Sequence, residues 1–127
     1  MIIVTGGAGF IGSNIAEQLN NDNESVIICD RIDDNLKLNN LNFIKNKEIL
    51  TPESLGQFIK KNKDKLKAII HMGAISSTAE KDIALLINVN VNFSKEVFLL
   101  ANKYSIKFIY ASSASTYGIG DQGFDDD

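Results

Sequence analysis

The sequence predicts an α/β fold in which a parallel sheet is covered by helices on both faces. Three observations support this class: short apolar runs alternate with segments of helical periodicity, the runs are nearly continuous rather than alternating, and the first run ends in a glycine cluster. The strand order expected for such a doubly wound sheet is 3-2-1-4-5. Ligands of these sheets lie outside the carboxyl ends of the strands.

The first strand is predicted at Ile2–Val4 and runs into glycines at positions 6, 7, 9 and 12. Gly6 permits a tight turn, Gly9 lets the backbone approach a pyrophosphate, and Gly12 lets the next helix lie close to the strand. The exposed N–H groups where that helix begins attract phosphates. The helical periodicity is carried by Phe10, Ile11, Ile15 and Leu19.

A second apolar run, at 25–29, ends in Asp30, about 20 residues after the glycines, where a ribose-binding carboxylate is expected. The two features together favour a dinucleotide site over an ordinary strand-to-helix turn. The polar stretch 31–40 is predicted to be a loop. Its Arg31 and Lys37 are candidates for a 2′-phosphate, which favours NADP, whereas Asp30 favours NAD. Arg31 as a plain surface cation remains an equal alternative.

The remaining elements follow in order. A third strand is predicted at Leu41–Ile44, and a helix begins at Thr51-Pro52 with Thr51 as its cap. A fourth strand begins at Ala68 and runs through His71 into a turn of small residues, a long helix spans about 82–104, and a fifth strand covers 106–111. The long helix contains three asparagines, at 88, 90 and 92, although asparagine is a poor helix former. At least one of Asn88, Asn90 and Asn92 is therefore expected to have a buried partner.

Composition narrows the function classes. The net charge of −3 argues against a nucleic-acid partner, and the lysines within 60–67 are predicted to be a solvated helix end. The single cysteine, Cys29, is expected to be buried and inert and indicates a reducing compartment. No apolar run approaches the roughly 20 residues of a membrane span, and the N-terminus lacks a secretory signal, so a cytoplasmic location without membrane contact is expected. One histidine and one cysteine cannot build a conventional metal site.

Four stretches are expected to meet around one crevice at the carboxyl ends of the strands: Gly6–Gly12, Asp30, His71–Ala74 and Ser112–Tyr117. In this order they resemble the motifs of the extended short-chain dehydrogenase/reductase family. The resemblance implies a Rossmann-type NAD(P)-binding domain over residues 1–127, incomplete and without the family's C-terminal substrate domain. It implies epimerisation of a nucleotide sugar by transient removal and return of hydride. The alternatives are a 4-epimerase, a 4,6-dehydratase or a noncatalytic NAD(P)-binding module.

The resemblance also assigns roles to residues of this chain. Ser113 is the expected catalytic hydroxyl, and Ser76 and Ser77 are expected to touch the sugar. The expected cofactor, NADP or NAD, would contact Gly6, Gly9, Phe10, Ile11, Gly12, Asp30, Arg31, Lys37, Met72, Gly73, Ala74 and Asn90. His71 is expected to be packed and hydrogen-bonded rather than catalytic. The partners implied are a nucleotide-sugar substrate and further copies of the chain.

The family's general base, a tyrosine followed four residues later by a lysine, is absent from this sequence. The residues four positions after the three tyrosines are Phe108, Ala114 and Asp121. We therefore expect the chain to be the first part of a longer enzyme that binds cofactor but does not turn over substrate alone. An apolar fifth strand left at the edge of the sheet predicts self-association through Lys107–Tyr110.

Overall fold

The structure is a computed structural model that describes residues 1–45, 47–121 and 123–125. Its five parallel strands form one sheet in the order β3-β2-β1-β4-β5, which confirms the predicted fold class and strand order. The strands are β1 Ile2–Thr5, β2 Val26–Cys29, β3 Glu48–Leu50, β4 Ala68–His71 and β5 Lys107–Tyr110. The helices are α1 Phe10–Asn21, α2 Asn35–Asn40, α3 Pro52–Asn62 and α4 Ile83–Lys103, with 3₁₀ turns at Lys63–Lys65 and Ala114–Tyr117.

The central strand β1 and its neighbour β2 are buried along their whole length, because both faces of the sheet are covered. Alternate residues of each strand enter different cores. Ile3 and Ile69 pack with residues of α3 and α4 on one face, and Val4 and Ile28 pack with residues of α1 on the other. This double coverage is the physical reason for the continuous apolar runs in the sequence.

The third strand and the segment before it differ from expectation. Leu41–Ile44 is not a strand: Leu41 and Ile44 are buried in the core on the α1 face, three residues apart, as in a helical turn. The strand is Glu48–Leu50, which lies at the sheet edge and therefore tolerates polar residues. The predicted loop 31–40 contains α2, which begins after Asp34, whose side chain accepts a hydrogen bond from the Lys37 amide.

The helix expected over 82–104 is present as α4, and its central residues Ile87–Phe93 are a π-helix. By length and composition alone, α4 is the one helix of the described residues that could cross a membrane, although it contains no uninterrupted apolar run of that length. Asparagines and the segment Ser94-Lys95-Glu96 divide its apolar residues into short runs. Val97 and Ala101 of this helix are buried against the sheet, as a crossover helix requires.

The lysines at the end of α3 and the cap at its start were both predicted from the sequence. The lysines within 60–67 are all exposed, as predicted. Thr51 does occupy the capping position of α3, with Pro52 in the first turn, but its side chain makes no capping hydrogen bond to the backbone. The start of α3 therefore depends on proline and on the backbone geometry rather than on a side-chain cap.

Candidate functional site

The glycine turn between β1 and α1 leaves an open set of backbone donors. Gly6 has a φ of +61°, and a Cβ at Gly12 would lie 2.2 Å from the Gly6 oxygen, so both positions require glycine. Gly9 is the N-cap and has no side chain to cap the helix. An α-helix leaves its first N–H groups without partners inside the helix, and here those belong to Phe10, Ile11 and Gly12. Uncapped amides of this kind, together with the helix dipole, attract phosphate oxygens.

Asp30 fastens this turn to the end of β2. Its Oδ2 accepts a hydrogen bond of 2.9 Å from the Ala8 amide, and the Gly6 amide donates to the Cys29 carbonyl at 2.9 Å. The Ala8 carbonyl in turn accepts a 2.9 Å hydrogen bond from the Asn40 side chain of α2. The turn is therefore held from both sides before any ligand arrives, which lowers the entropy that binding would cost.

A cluster of charges lies beside Asp30. Lys37 Nζ is 3.3 Å from Asp30 Oδ1 and 3.0 Å from Asp33 Oδ1, and it donates to the Arg31 carbonyl at 2.7 Å. Burial opposes the charge on Lys37, but the two carboxylates outweigh it and raise its pKa. Arg31 forms an ion pair with Glu53 at the start of α3. The hydrogen bond to Arg31 lowers the pKa of Glu53, so both groups of this pair are charged.

The end of β4 reaches the same edge of the sheet and comes into contact with the glycine turn. A Cβ at Gly6 would lie 2.8 Å from the Gly73 backbone, so the two loops touch. Thr5 Oγ1 accepts a 3.1 Å hydrogen bond from the Gly73 amide and lies 2.7 Å from His71 Nδ1. The other ring nitrogen of His71 is 2.8 Å from Ser94 Oγ. His71 is thus packed and hydrogen-bonded, as expected, and burial lowers its pKa.

The loop after β4 is held by α4. Asn90, in the π-helical part, accepts a 2.8 Å hydrogen bond from the Ile75 amide and donates a 3.0 Å hydrogen bond to the Ile75 carbonyl. Asn88 and Asn92 are exposed. One asparagine of this helix therefore has a partner, in the loop that begins at Met72, but the contact is only partly buried and not buried as expected.

The serines expected at the substrate side are exposed. Ser76 and Ser77 lie in the loop after β4, where Ser77 Oγ accepts from the Ala79 amide at 3.3 Å. Ser113 caps the 3₁₀ turn Ala114–Tyr117, and its Oγ accepts from the Ser115 amide at 3.2 Å. An Oγ that accepts locally keeps its own proton available as a donor. The local hydrogen bonds of Ser77 and Ser113 do not distinguish an ordinary polar strand end from a hydroxyl positioned for substrate.

The structure thus brings most of the expected cofactor residues together at the carboxyl ends of β1, β2 and β4. Arg31 is directed to Glu53 instead. Three residues that touch this region were not identified from the sequence: Asn40, which holds Ala8, and the two acids Asp33 and Glu53. Of these three residues, only Glu53 could have been noticed in the sequence, because it lies in the first turn of a predicted helix. Cys29 lies beneath the site and is inert, because burial raises the pKa of its thiol to about 12.

The residues present fit a dinucleotide. The glycines form a cradle that a Cβ would fill, free amides face the place of a pyrophosphate, and a carboxylate stands at the end of β2. Among the described residues no group of three or more histidine, cysteine, aspartate or glutamate side chains could hold a metal ion.

Comparison with known proteins finds several epimerases that are similar to this chain. The chain is 41% identical to the ADP-L-glycero-D-manno-heptose-6-epimerase of Brachyspira hyodysenteriae over its whole length, which is 41% of that protein. The Helicobacter pylori ADP-L-glycero-D-manno-heptose-6-epimerase superposes with a TM-score of 0.77 at 27% identity, over 99% of this chain and 45% of that one. The Methanobrevibacter ruminantium UDP-N-acetylglucosamine 4-epimerase gives 0.81 at 29% identity, over 98% and 42%.

The chain therefore spans about two fifths of the length of these relatives. Residues 2–127 match the sequence model of a single family, and that match includes every element of the site described above. By this match, the chain belongs to the NAD dependent epimerase/dehydratase family.

Proposed function

We propose that this chain is the cofactor-binding part of an NAD(P)-dependent nucleotide-sugar epimerase, of the ADP-glyceromanno-heptose 6-epimerase type. The observation that carries the proposal is the glycine turn, where Gly9 leaves the first amides of α1 uncapped beside the Asp30 carboxylate. The 41% identity to a heptose 6-epimerase supports the choice of substrate class.

Within this proposal each part of the site has a distinct task. The amides of Phe10, Ile11 and Gly12 bind the pyrophosphate, and Asp30 accepts a hydrogen bond from a ribose hydroxyl. Met72, Gly73 and Ala74 form the wall on the nicotinamide side, which Asn90 supports through the following residue. The bound dinucleotide supplies the hydride acceptor, while the protein supplies orientation and electrostatics.

On the substrate side, Ser113 donates a hydrogen bond to the sugar oxygen and steers its proton, and Ser76 and Ser77 contact the sugar. The tyrosine and lysine that serve this family as general base have no counterpart in these 127 residues. We propose that the chain alone binds cofactor without turning over substrate, and that the complete activity belongs to a longer protein.

The decisive experiment for the reaction uses the complete coding sequence. The purified protein is given an ADP-heptose, and inversion at C6 is followed by NMR. A Ser113→Ala variant should lose about a hundredfold or more in kcat, as expected when a positioned acid–base group is removed, with its cofactor content unchanged. A Ser105→Ala variant, altered at an exposed serine in the turn after α4, controls for the loss of a hydroxyl.

A second candidate within the same family is a 4-epimerase, which the similarity to the Methanobrevibacter ruminantium enzyme favours. The same assay separates the two reactions when a UDP-hexose is offered in parallel. Inversion at C4 of the UDP-hexose, with no change in the ADP-heptose, would replace the heptose assignment with a 4-epimerase. No turnover of any nucleotide sugar by a protein that retains cofactor would favour a noncatalytic binding module.

We further propose that the protein works in the cytoplasm and forms homo-oligomers. For the 127-residue chain by itself, we propose self-association through the edge strand β5, where Ile109 and Tyr110 are exposed on a strand that pairs only with β4 in the described sheet. Sedimentation of the present chain should show a concentration-dependent dimer, and Ile109→Lys should weaken it. A monomer at all concentrations would contradict self-association through β5.

A further inference from the structure

A line of hydrogen bonds joins α4 to the loop after β4. The Gly73 amide donates to Thr5 Oγ1 at 3.1 Å, and this oxygen lies 2.7 Å from His71 Nδ1. On the other side of the ring, His71 Nε2 lies 2.8 Å from Ser94 Oγ of α4. Thr5 and His71 are both fully buried, so bulk water does not compete for these contacts. One imidazole ring therefore connects α4 to β1 and to the loop.

These hydrogen bonds determine which nitrogen of His71 carries the proton. Among the described residues, Thr5 Oγ1 has two partners, the Gly73 amide and His71 Nδ1. The amide can only donate, so the Thr5 hydroxyl directs its proton to Nδ1, which must then be unprotonated. The proton of the neutral ring is therefore on Nε2, where it is donated to Ser94 Oγ.

Aromatic side chains hold the ring in this orientation. The ring centroids of Phe93, Phe108 and Tyr110 lie 5.7, 5.8 and 5.8 Å from that of His71. Of the described residues in contact with the His71 ring, Tyr110 is the one titratable group, and a phenol is neutral below neutral pH. Burial is what lowers the pKa of His71, with no contribution from a carboxylate or a cation. A change of charge at this place on acidification therefore comes from His71 itself.

We propose that Ser94 and His71 are positioning residues for the cofactor, and that they act only while the His71 ring is neutral. The inference rests on the proposed dinucleotide site and adds a regulation of that site by pH. Ser94 fixes the proton on Nε2, Nδ1 then accepts from Thr5, and Thr5 keeps a lone pair turned to the Gly73 amide. Gly73 lies against the glycine turn, since a Cβ at Gly6 would be 2.8 Å from its backbone.

A second proton on the ring reverses this order. It binds Nδ1, which then donates to Thr5 Oγ1 instead of accepting from it. The Thr5 hydroxyl proton is left without an acceptor among the described residues, and an unpaired donor in a fully buried place is costly. Turning the hydroxyl toward another acceptor withdraws its lone pair from the Gly73 amide. The protonated form should therefore hold the loop less firmly and bind the nicotinamide half of the cofactor more weakly.

Helix α4 also holds the loop at a second point, which does not respond to pH. Asn90 lies four residues before Ser94 and pairs with both backbone groups of Ile75. Neither side chain of that contact is titratable, so it persists on acidification. Protonation of His71 should therefore release the part of the loop at Gly73 while the rest stays anchored, and its effect should appear in cofactor affinity without unfolding of the loop.

The chain has one histidine, so NMR can observe its ring without ambiguity. Two-bond nitrogen–proton correlations of the 127-residue chain should show a neutral ring that is protonated at Nε2. The pH titration of the ring is then recorded with and without saturating NAD. NAD should bind the protonated form at least about threefold more weakly than the neutral form, and this difference lowers the pKa of His71 in the complex.

Substitution of Ser94 tests the part played by α4. At neutral pH, Ser94→Ala should weaken NAD binding about threefold to tenfold and give a mixture of ring tautomers, because Nε2 loses its acceptor. Ser94→Thr keeps the hydroxyl and should restore the affinity to within about twofold. Ser54→Ala is the matched control, because Ser54 is also a half-buried serine in a helix, with its hydroxyl donating to the Thr51 carbonyl at 2.9 Å. It should change neither the affinity nor the ring signals.

A ring protonated at Nδ1, or a His71 pKa that NAD does not lower, would overturn the inference and leave the dinucleotide site standing. Both results come from the wild type, so they decide the matter even if Ser94→Ala does not fold. Wild-type NAD affinity in a folded Ser94→Ala, or a loss that Ser94→Thr does not restore, would equally overturn it. Failure of the wild type to bind NAD would overturn the proposed site and the inference together.

Discussion

Asn90 and Ile75 are joined by two hydrogen bonds in opposite directions, from the Ile75 amide to Asn90 Oδ1 at 2.8 Å and from Asn90 Nδ2 to the Ile75 carbonyl at 3.0 Å. A side-chain amide that pairs with a residue's backbone in this way makes the two hydrogen bonds that a neighbouring strand would otherwise provide. It fixes one point of the loop between β4 and α4, which otherwise has no regular structure. The π-helical turn around Asn90 is consistent with the tendency of such turns to occur at functional positions.

Replacing Asn90 should therefore destabilise the loop and the fold together. We expect Asn90→Ala to lower the free energy of unfolding by about 1–2 kcal/mol, because two partly buried backbone groups lose their partner. Asn90→Asp keeps an acceptor for the Ile75 amide but cannot donate to the carbonyl, so it should recover only part of the loss. Urea unfolding measures both. The exposed Asn88→Ala is the control, and an equal effect there would contradict the role assigned to Asn90.

Stability should depend on pH through the one histidine of the chain. Burial lowers the pKa of His71 in the folded state below the ordinary value of about 6.5. Between those two values the unfolded chain binds a proton that the folded chain does not, so stability falls as the pH is lowered through about 6.5. The loss stops growing below the folded pKa. Unfolding free energies of wild type and His71→Gln across this range should diverge, and parallel curves would exclude the linkage.

The thiol of Cys29 should react only when the protein unfolds. Burial, with Asp30 as a secondary cause, raises its pKa to about 12. At about pH 8 the native thiolate is then scarcer than that of a free cysteine by a factor on the order of a thousand. Reaction with a thiol-specific disulfide reagent should be slow in buffer and rapid in urea. Rapid native labelling would mean that the end of β2 opens readily.

The sheet and its strand order could be predicted because continuous apolar runs identify buried parallel strands. The third strand could not, since Glu48–Leu50 lies at an edge where burial leaves little trace in the sequence. Leu41 and Ile44 suggested a strand there because a buried helical turn and a short strand both place apolar residues close together.

Within the candidate site, the glycines and Asp30 were predictable because their backbone and charge requirements are local. Asn40, Asp33 and Glu53 were not, because their importance lies in contacts that only the fold creates. Arg31 was a candidate for a phosphate contact for a similar reason, because the sequence does not show which charged residue the fold places beside it. As a residue type it suits a phosphate, but the element that follows β3 places a carboxylate against it.

The central claim is that the glycine turn binds a dinucleotide, and substitution of Gly9 tests it most directly. Gly9 has a φ of −73°, which alanine adopts freely, and its Cβ would lie 3.2 Å from the Gly6 oxygen. Gly9→Ala should therefore fold while placing a methyl group where the pyrophosphate must approach. Gly56→Ala, in α3 and away from the site, is the matched control, because its Cβ would meet the movable carboxylate of Glu96 of α4.

Titration of both variants with NAD, with melting temperatures recorded in parallel, is the measurement. The account predicts that Gly9→Ala loses NAD affinity by about tenfold or more, corresponding to about 1.4 kcal/mol, with a melting temperature close to that of the wild type. Gly56→Ala should bind NAD as the wild type does. Wild-type affinity in a folded Gly9→Ala, or no NAD binding by the wild type near 1 mM, would contradict the assignment.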